Sequence, residues 1–87
     1  MTAIELWDLT LKEIKDKISA PAYNQWFKPT MVGHIDGSTL VVLCEDEMQR
    51  NWLEARYTSL VSEIAYEIDN NFENVLFILH EKSGFLN

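Results

Sequence analysis

The segment from Cys44 to Asp69 constrains the fold of this chain more than any other. Its apolar residues recur at every third or fourth position, a spacing that predicts one apolar stripe along a long helix. The stripe consists of Met48, Trp52, Leu53, Leu60, Val61, Ile64, Ala65 and Ile68. At about 1.5 Å per residue the helix reaches roughly 35 Å, which is comparable to the width of a small domain. We therefore expect the rest of the chain to pack on this stripe.

The remaining segments predict two more helices and three strands. Thr2 and Glu5 form a capping-box pattern, and Asp36-Gly37 is a strong hairpin signal. The predicted elements are helices over Thr2–Lys17 and from Ala20 to about Phe27, and strands over Thr30–Ile35, Thr39–Cys44 and Asn74–His80. This order is most economically an α+β domain, residues 1–82, in which helices pack on one face of a three-stranded sheet. Residues 83–87 are expected to begin a flexible linker.

The predicted first helix has an unusually wide apolar stripe. The residues expected to face the core are Ile4, Trp7, Leu11, Ile14 and Ile18. Leu6 and Leu9 lie beside that line, so the stripe is wider than one core contact needs. Leu6 or Leu9 is therefore expected to remain outside the core.

The composition is that of one small globular domain without a disulfide. Apolar residues make up 47% of the 87 residues, which is enough for a compact core and too many for disorder. The net charge of −7 disfavours duplex DNA and anionic membranes, because affinity for phosphate depends on Lys and Arg. The chain has one cysteine, no basic signal region and no apolar run long enough to span a membrane. We expect a cytoplasmic protein that binds other proteins.

Residue patterns typical of enzymatic, cofactor or metal chemistry are missing from the sequence. Neither GxxxxGKS/T nor GxGxxG occurs. His34, His80 and Cys44 are scattered one to a segment rather than paired at metal-ligand spacing. The acidic run Glu45–Glu47 suits the positive end of a helix dipole better than acid–base catalysis. We predict no catalytic, cofactor-binding or metal-binding residues and no enzymatic activity.

Several short motifs occur in a recognisable order along the chain. They are Leu6-Trp7, Trp26–Pro29 (WFKP), the Asp36-Gly37 hairpin and Asn51–Tyr57 (NWLEARY). With these motifs the chain resembles the N-terminal domain (domain I) of DnaA, the bacterial chromosomal replication initiator, over essentially its whole length. It looks closest to versions from low-GC Gram-positive bacteria. The resemblance implies a KH-like fold with the order of helices and strands given above.

The resemblance also implies a function. In this family the domain is an interaction module that promotes self-association at the origin, contacts the replicative helicase or its loader, and binds regulators of initiation. The ATPase and duplex-DNA-binding domains lie further along the family's chain, and none of their motifs occurs here. The implied location is the cytoplasm, with nucleoid association through the full-length protein.

Two surfaces are implied by matching positions in the family. Self-association is expected through Leu6 and Trp7. Partner binding is expected at the positions Ala22, Gln25, Trp26, Asp46, Met48 and Gln49. Some family members have an acid at the position of Ala22, so a charged contact is not expected there. Met48 replaces a common phenylalanine, and methionine keeps an apolar, adaptable side chain.

Two other functions remain open at this stage. KH-like modules bind single-stranded nucleic acid, usually through a GXXG loop that this sequence lacks, so weak binding of single strands is the first alternative. The second is a stand-alone adaptor or antagonist that mimics the initiator domain. It would share every residue discussed above and differ only in whether further domains are attached after Asn87.

Overall fold

The computed structural model describes residues 1–80 as three helical segments and one three-stranded sheet. The elements are α1 (Ala3–Lys17), α2 (Ala20–Ala22) continuing into a π-helical turn (Tyr23–Phe27), β1 (Met31–Asp36), β2 (Thr39–Cys44), α3 (Glu47–Ile68) and β3 (Asn74–Leu79). The α+β class and the order helix, helix, strand, strand, helix, strand are confirmed. The linker predicted from Ser83 lies outside the described residues.

The sheet has the order β1-β2-β3, so β2 is the central strand. β1 and β2 form an antiparallel hairpin, while β3 pairs parallel to β2 after the crossover through α3. The hairpin turn requires a glycine at position 37, because the φ of +62° at Gly37 lies in the left-handed region that favours glycine. The Asp36-Gly37 signal therefore predicted the turn correctly.

Side-chain caps fix where the two long helices begin. The hydroxyl of Thr2 accepts from the backbone N–H of Glu5 at 3.1 Å, and the Glu5 carboxylate accepts from the backbone N–H of Thr2 at 2.9 Å. This is the predicted capping box. At the start of α3 the carboxylate of Asp46 accepts from the backbone N–H of Gln49 at 2.8 Å. One acid of the Glu45–Glu47 run thus satisfies a backbone donor that the helix leaves free.

The core lies between the helices and one face of the sheet. It contains Phe27, Leu40, Val42, Leu53, Val61, Ile64, Phe72 and Phe77, all buried. Five of these residues are phenylalanine or leucine, each at most 6% exposed, so large apolar side chains fill much of the interior of this small domain. The helices pack on the face that carries Leu40, Val42 and Phe77, as expected for an α+β domain of this size.

The buried face of α1 differs from the predicted one. Leu6 is fully buried, whereas Ile4 is 63% exposed, so the prediction that Ile4 faces the core was wrong. The helix is rotated because Thr10 also enters the core, where its hydroxyl donates to the Leu6 carbonyl oxygen at 2.7 Å. A hydroxyl satisfied in this way is tolerated in the interior. Leu9 lies outside, as predicted for one of the two leucines.

The stripe predicted on α3 divides between two faces. Leu53, Val61 and Ile64 are buried, as expected. Met48 and Trp52 lie on the other side, with 66% and 36% of their surfaces exposed. The assignment of Trp52 to the core-facing stripe was therefore wrong. A long helix with apolar side chains on two faces has a second surface to cover.

Candidate functional site

The turn before β1 places the side chain of Phe27 inside the core and that of Trp26 against α3. The backbone N–H of Lys28 donates to the Tyr23 carbonyl oxygen at 3.0 Å. This bond spans five residues, as in a π-helix, whereas an α-helical bond spans four. Phe27 is fully buried and packs edge-on against the ring of Tyr57, with 5.1 Å between ring centroids. Trp26, half-buried beside it, points along the start of α3.

Two tryptophans and an arginine form a stack at the junction of this turn and α3. The rings of Trp26 and Trp52 are nearly parallel, with centroids 4.9 Å apart and an angle of 12° between their planes. The guanidinium carbon of Arg56 lies 4.4 Å from the Trp52 ring centroid. Because Trp26 already covers one face of that ring, the guanidinium must cover the other. Stacking and cation–π attraction thus hold a partly exposed tryptophan in a fixed orientation.

Gln49 joins the two segments from beneath this stack. Its side-chain amide donates to the Trp26 carbonyl oxygen at 2.9 Å, and its side-chain oxygen accepts from the backbone N–H of Glu45 at 2.7 Å. Gln49 is only 5% exposed. The side chain predicted to touch a partner therefore serves first to satisfy two backbone groups inside the domain, and little of it is left for a partner to contact.

A shallow depression beside the stack is lined by α3 alone. Its lining residues are Glu47, Met48, Asn51, Trp52, Ala55 and Arg56. Met48 and Trp52 are one helical turn apart, so their side chains lie next to each other along the helix. The depression thus presents two large apolar side chains with an acid at one end and a base at the other.

None of the other predicted partner-binding residues lines this depression. Asp46 is exposed, but its carboxylate is engaged in capping α3. Ala22 is half-buried and Gln25 is exposed, and both lie on the helical segment that carries Trp26. Of the predicted residues, Trp26 and Met48 both lie next to Trp52, and Gln49 supports the turn that carries Trp26.

Five of the six residues that line the depression were missed as site residues from the sequence. They are Glu47, Asn51, Trp52, Ala55 and Arg56. The available signal was the spacing of Trp52 and Arg56, because an arginine four residues after a tryptophan on a helix can stack on its ring. Trp52 was instead assigned to the core because it belongs to the same three-four pattern as the buried residues.

The predicted self-association residues are not on the surface of the domain. Leu6 is fully buried and Trp7 is 3% exposed, with its indole N–H donating to the Thr30 hydroxyl at 3.2 Å. The apolar side chains that α1 does expose are those of Ile4 and Leu9. The role of Leu6 and Trp7 in self-association stays a prediction.

The candidate metal ligands are not brought together. Within residues 1–80, no three His, Cys, Asp or Glu side chains are grouped as a metal ion would require. Cys44 is fully buried, and this burial raises the pKa of its thiol to about 11. A protonated, inaccessible thiol is a weak ligand and a weak nucleophile. In the same part of the chain, no helix has both the length and the apolar character needed to cross a membrane.

Burial of Cys44 predicts a loss of stability in alkaline solution. In the unfolded chain the thiol loses its proton near pH 9, whereas in the folded domain it does so near pH 11. Between these values the unfolded state binds fewer protons, so the free energy of unfolding falls as the pH rises, by up to about 2 kcal/mol. Urea denaturation of the domain and of its Cys44→Ala variant from pH 8 to 11 measures this. Identical pH dependence in the two proteins would contradict it.

The surface can be compared with known proteins now that its geometry is described. The family model of the DnaA N-terminal domain matches residues 4–67. The match runs from the first turn of α1 almost to the end of α3, and it includes every residue of the tryptophan stack and the depression. It also supports the resemblance inferred from Leu6-Trp7, WFKP and NWLEARY. The chain belongs to the DnaA N-terminal domain family, the N-terminal module of the bacterial replication initiator.

Proposed function

We propose that this domain is a protein–protein interaction module that recruits the replicative helicase or its loader and binds regulators of initiation in the cytoplasm. The contact is made by what we call the anchor surface, which consists of Trp26, Met48, Trp52 and Arg56. Family membership supports a role in replication initiation, and the anchor surface supports the mode of contact.

The observation that carries this proposal is the exposure of Met48 beside a fixed tryptophan stack. Met48 is 66% exposed although it is apolar, and Trp52 beside it is 36% exposed. Apolar side chains that are held rigidly on the surface are the usual anchors of protein interfaces, because little conformational entropy is lost when they are covered. The Trp26, Arg56 and Gln49 contacts supply that rigidity to the Trp52 ring, and Met48 lies beside it.

Self-association is the second part of the proposed function. Since Leu6 and Trp7 are buried, we propose that they hold α1 in place while Ile4 and Leu9, which are exposed, make the contact between copies. Ile4 and Leu9 are five positions apart on α1, about 140° around the helix from each other. Two such separated apolar side chains support only a small interface, so the association is weak and depends on concentration. Bringing many initiators together at the origin would supply that concentration.

The proposal is tested by comparing two ligands at two salt concentrations. We expect the domain to bind the replicative helicase of the same organism at low salt and still to bind it at about 0.3 M NaCl, because an apolar anchor is not screened. A single-stranded oligonucleotide should not bind measurably, given a net charge of −7. Oligonucleotide binding that weakens steeply with salt, without helicase binding, would instead make this a nucleic-acid-binding module.

A further inference from the structure

The solvent side of α3 carries a continuous second row of residues, which we call the outer seam. Its members are Met48, Trp52, Ala55, Ser59, Ser62 and Tyr66. Their spacing alternates between four and three residues, which is the spacing of the contact residues in a pair of packed helices. Tyr66 is 48% exposed and Ala55 and Ser59 are exposed, so most of the seam faces solvent.

The outer seam runs along the face opposite the core residues of α3. Leu53, Val61 and Ile64 are buried against the sheet and α1, and the seam residues lie about half a helical turn away from them. From Met48 to Tyr66 the seam extends about 27 Å at 1.5 Å per residue. It begins at the anchor surface and continues well beyond the depression, so a partner held at Met48 could follow the whole helix.

The shape of the seam suits another helix. Large side chains stand at its ends, those of Met48 and Trp52 at one end and that of Tyr66 at the other. Between them the seam has only the small side chains of Ala55, Ser59 and Ser62. The small side chains leave a low centre, where a helix packed along α3 can approach closely. The large side chains of that helix then pack against Met48 and Trp52 at one end and Tyr66 at the other.

The charges beside the seam decide what kind of helix fits. Four exposed acids of α3 flank it, namely Glu47, Glu54, Glu63 and Glu67. The one exposed base of α3 is Arg56, whose guanidinium lies on the Trp52 ring. Charges at the rim of an interface select partners of opposite sign and accelerate their association. The rim therefore favours lysine and arginine in the partner and opposes a second copy of this acidic helix.

From these observations we infer that the outer seam docks an amphipathic helix of about five turns whose apolar face is flanked by lysine and arginine residues. This inference rests on the proposed function, since it names the chemistry of the partner held at the anchor surface. It adds that contact extends over the C-terminal half of α3, to Ser62 and Tyr66, which the site predicted from the sequence did not include.

The test uses synthetic helical peptides as probes. One peptide of about 20 residues carries leucines at four-three spacing with lysines on both sides, and a second has glutamates in place of the lysines. We expect the lysine peptide to bind the domain at least tenfold more tightly than the glutamate peptide by calorimetry, and to shift the amide signals of Ala55, Ser59 and Tyr66 in NMR spectra. Equal affinities, or shifts confined to Met48 and Trp52, would overturn the inference.

A substitution in the middle of the seam provides the second arm. Ser59→Arg places bulk and positive charge at the low centre, so it should weaken binding of both the lysine peptide and the helicase at least tenfold. Asn74→Arg makes the same change of charge at an exposed position on β3 and should change neither. If Ser59→Arg has no effect while Met48→Ala abolishes helicase binding, the long seam is excluded and the anchor surface stands. If neither variant affects the helicase, the proposed function fails as well.

Self-association through the same face is a further outcome of this test. Sedimentation of the domain at increasing concentration would show a dimer, and Ser59→Arg would return it to a monomer. Combined with no binding of the lysine peptide, that result would overturn the inference and assign the seam to contact between copies.

Discussion

We expect Met48→Ala to weaken binding of the replicative helicase about thirtyfold, a loss of about 2 kcal/mol that is typical of a truncated interface anchor. The folded domain should be little affected, because Met48 is 66% exposed and alanine is a good helix former. Calorimetric titration of the two domains with helicase, beside their urea denaturation curves, separates binding from stability.

Met31→Ala is the matched control for this variant. Met31 is 53% exposed and so loses a similar amount of exposed apolar surface on truncation, but it lies on β1 and lines a different depression from the one that contains Met48. Helicase affinity should stay within about twofold in this variant, since surface substitutions outside an interface are nearly neutral. If Met31→Ala weakens binding as much as Met48→Ala does, the contact is not localised at the anchor surface.

Gln49→Leu is expected to destabilise the domain by about 2 kcal/mol, because two partly buried backbone groups lose their partners. These groups are the N–H of Glu45 and the carbonyl oxygen of Trp26, which the Gln49 side chain bonds at 2.7 and 2.9 Å. Leucine has a similar volume, so lost packing adds little to this cost. Urea denaturation followed by circular dichroism measures the change.

Loss of the Gln49 bridge should also loosen the tryptophan stack. Phe27 still packs the turn on Tyr57 of α3, but without the bridge Trp26 is held to α3 mainly by the contact between the two tryptophan rings. The exposed face of Trp52 therefore becomes less fixed. We expect helicase affinity to fall even under conditions where the variant is fully folded. Gln25→Leu serves as the control for stability, because Gln25 is exposed and the change should cost less than about 0.5 kcal/mol. Equal stability of Gln49→Leu and Gln25→Leu would contradict this role of the bridge.

Local sequence signals predicted most of the fold. The Thr2 and Glu5 capping box, the hairpin turn at Gly37 and the extent of α3 depend on residues close together in the chain, and each is confirmed. Such features depend only on the backbone preferences and capping groups of a few neighbouring residues.

The errors arose where burial depends on residues far apart in the chain. Trp52 has the periodicity of a core residue, but Trp26, which is 26 positions earlier, holds its ring at the surface. Gln49 was expected to contact a partner because it matches a contact position in the family, yet the carbonyl oxygen of Trp26 allows it to be buried. Thr10 is a local case: its bond to Leu6, four positions earlier, satisfies the hydroxyl inside the core, while Ile4 faces solvent. Helical periodicity fixes which residues share a face, and it does not say which face is covered.

The central claim is that partners bind at the anchor surface, and the three tryptophans allow one direct measurement of it. Each has an indole N–H that gives its own NMR signal, and the helicase can be titrated into the labelled domain. We expect the signals of Trp26 and Trp52 to shift or broaden first, while that of Trp7, buried in α1 and bonded to Thr30, stays unchanged. A response at Trp7 with none at Trp26 and Trp52 would place the contact on α1 and contradict the claim.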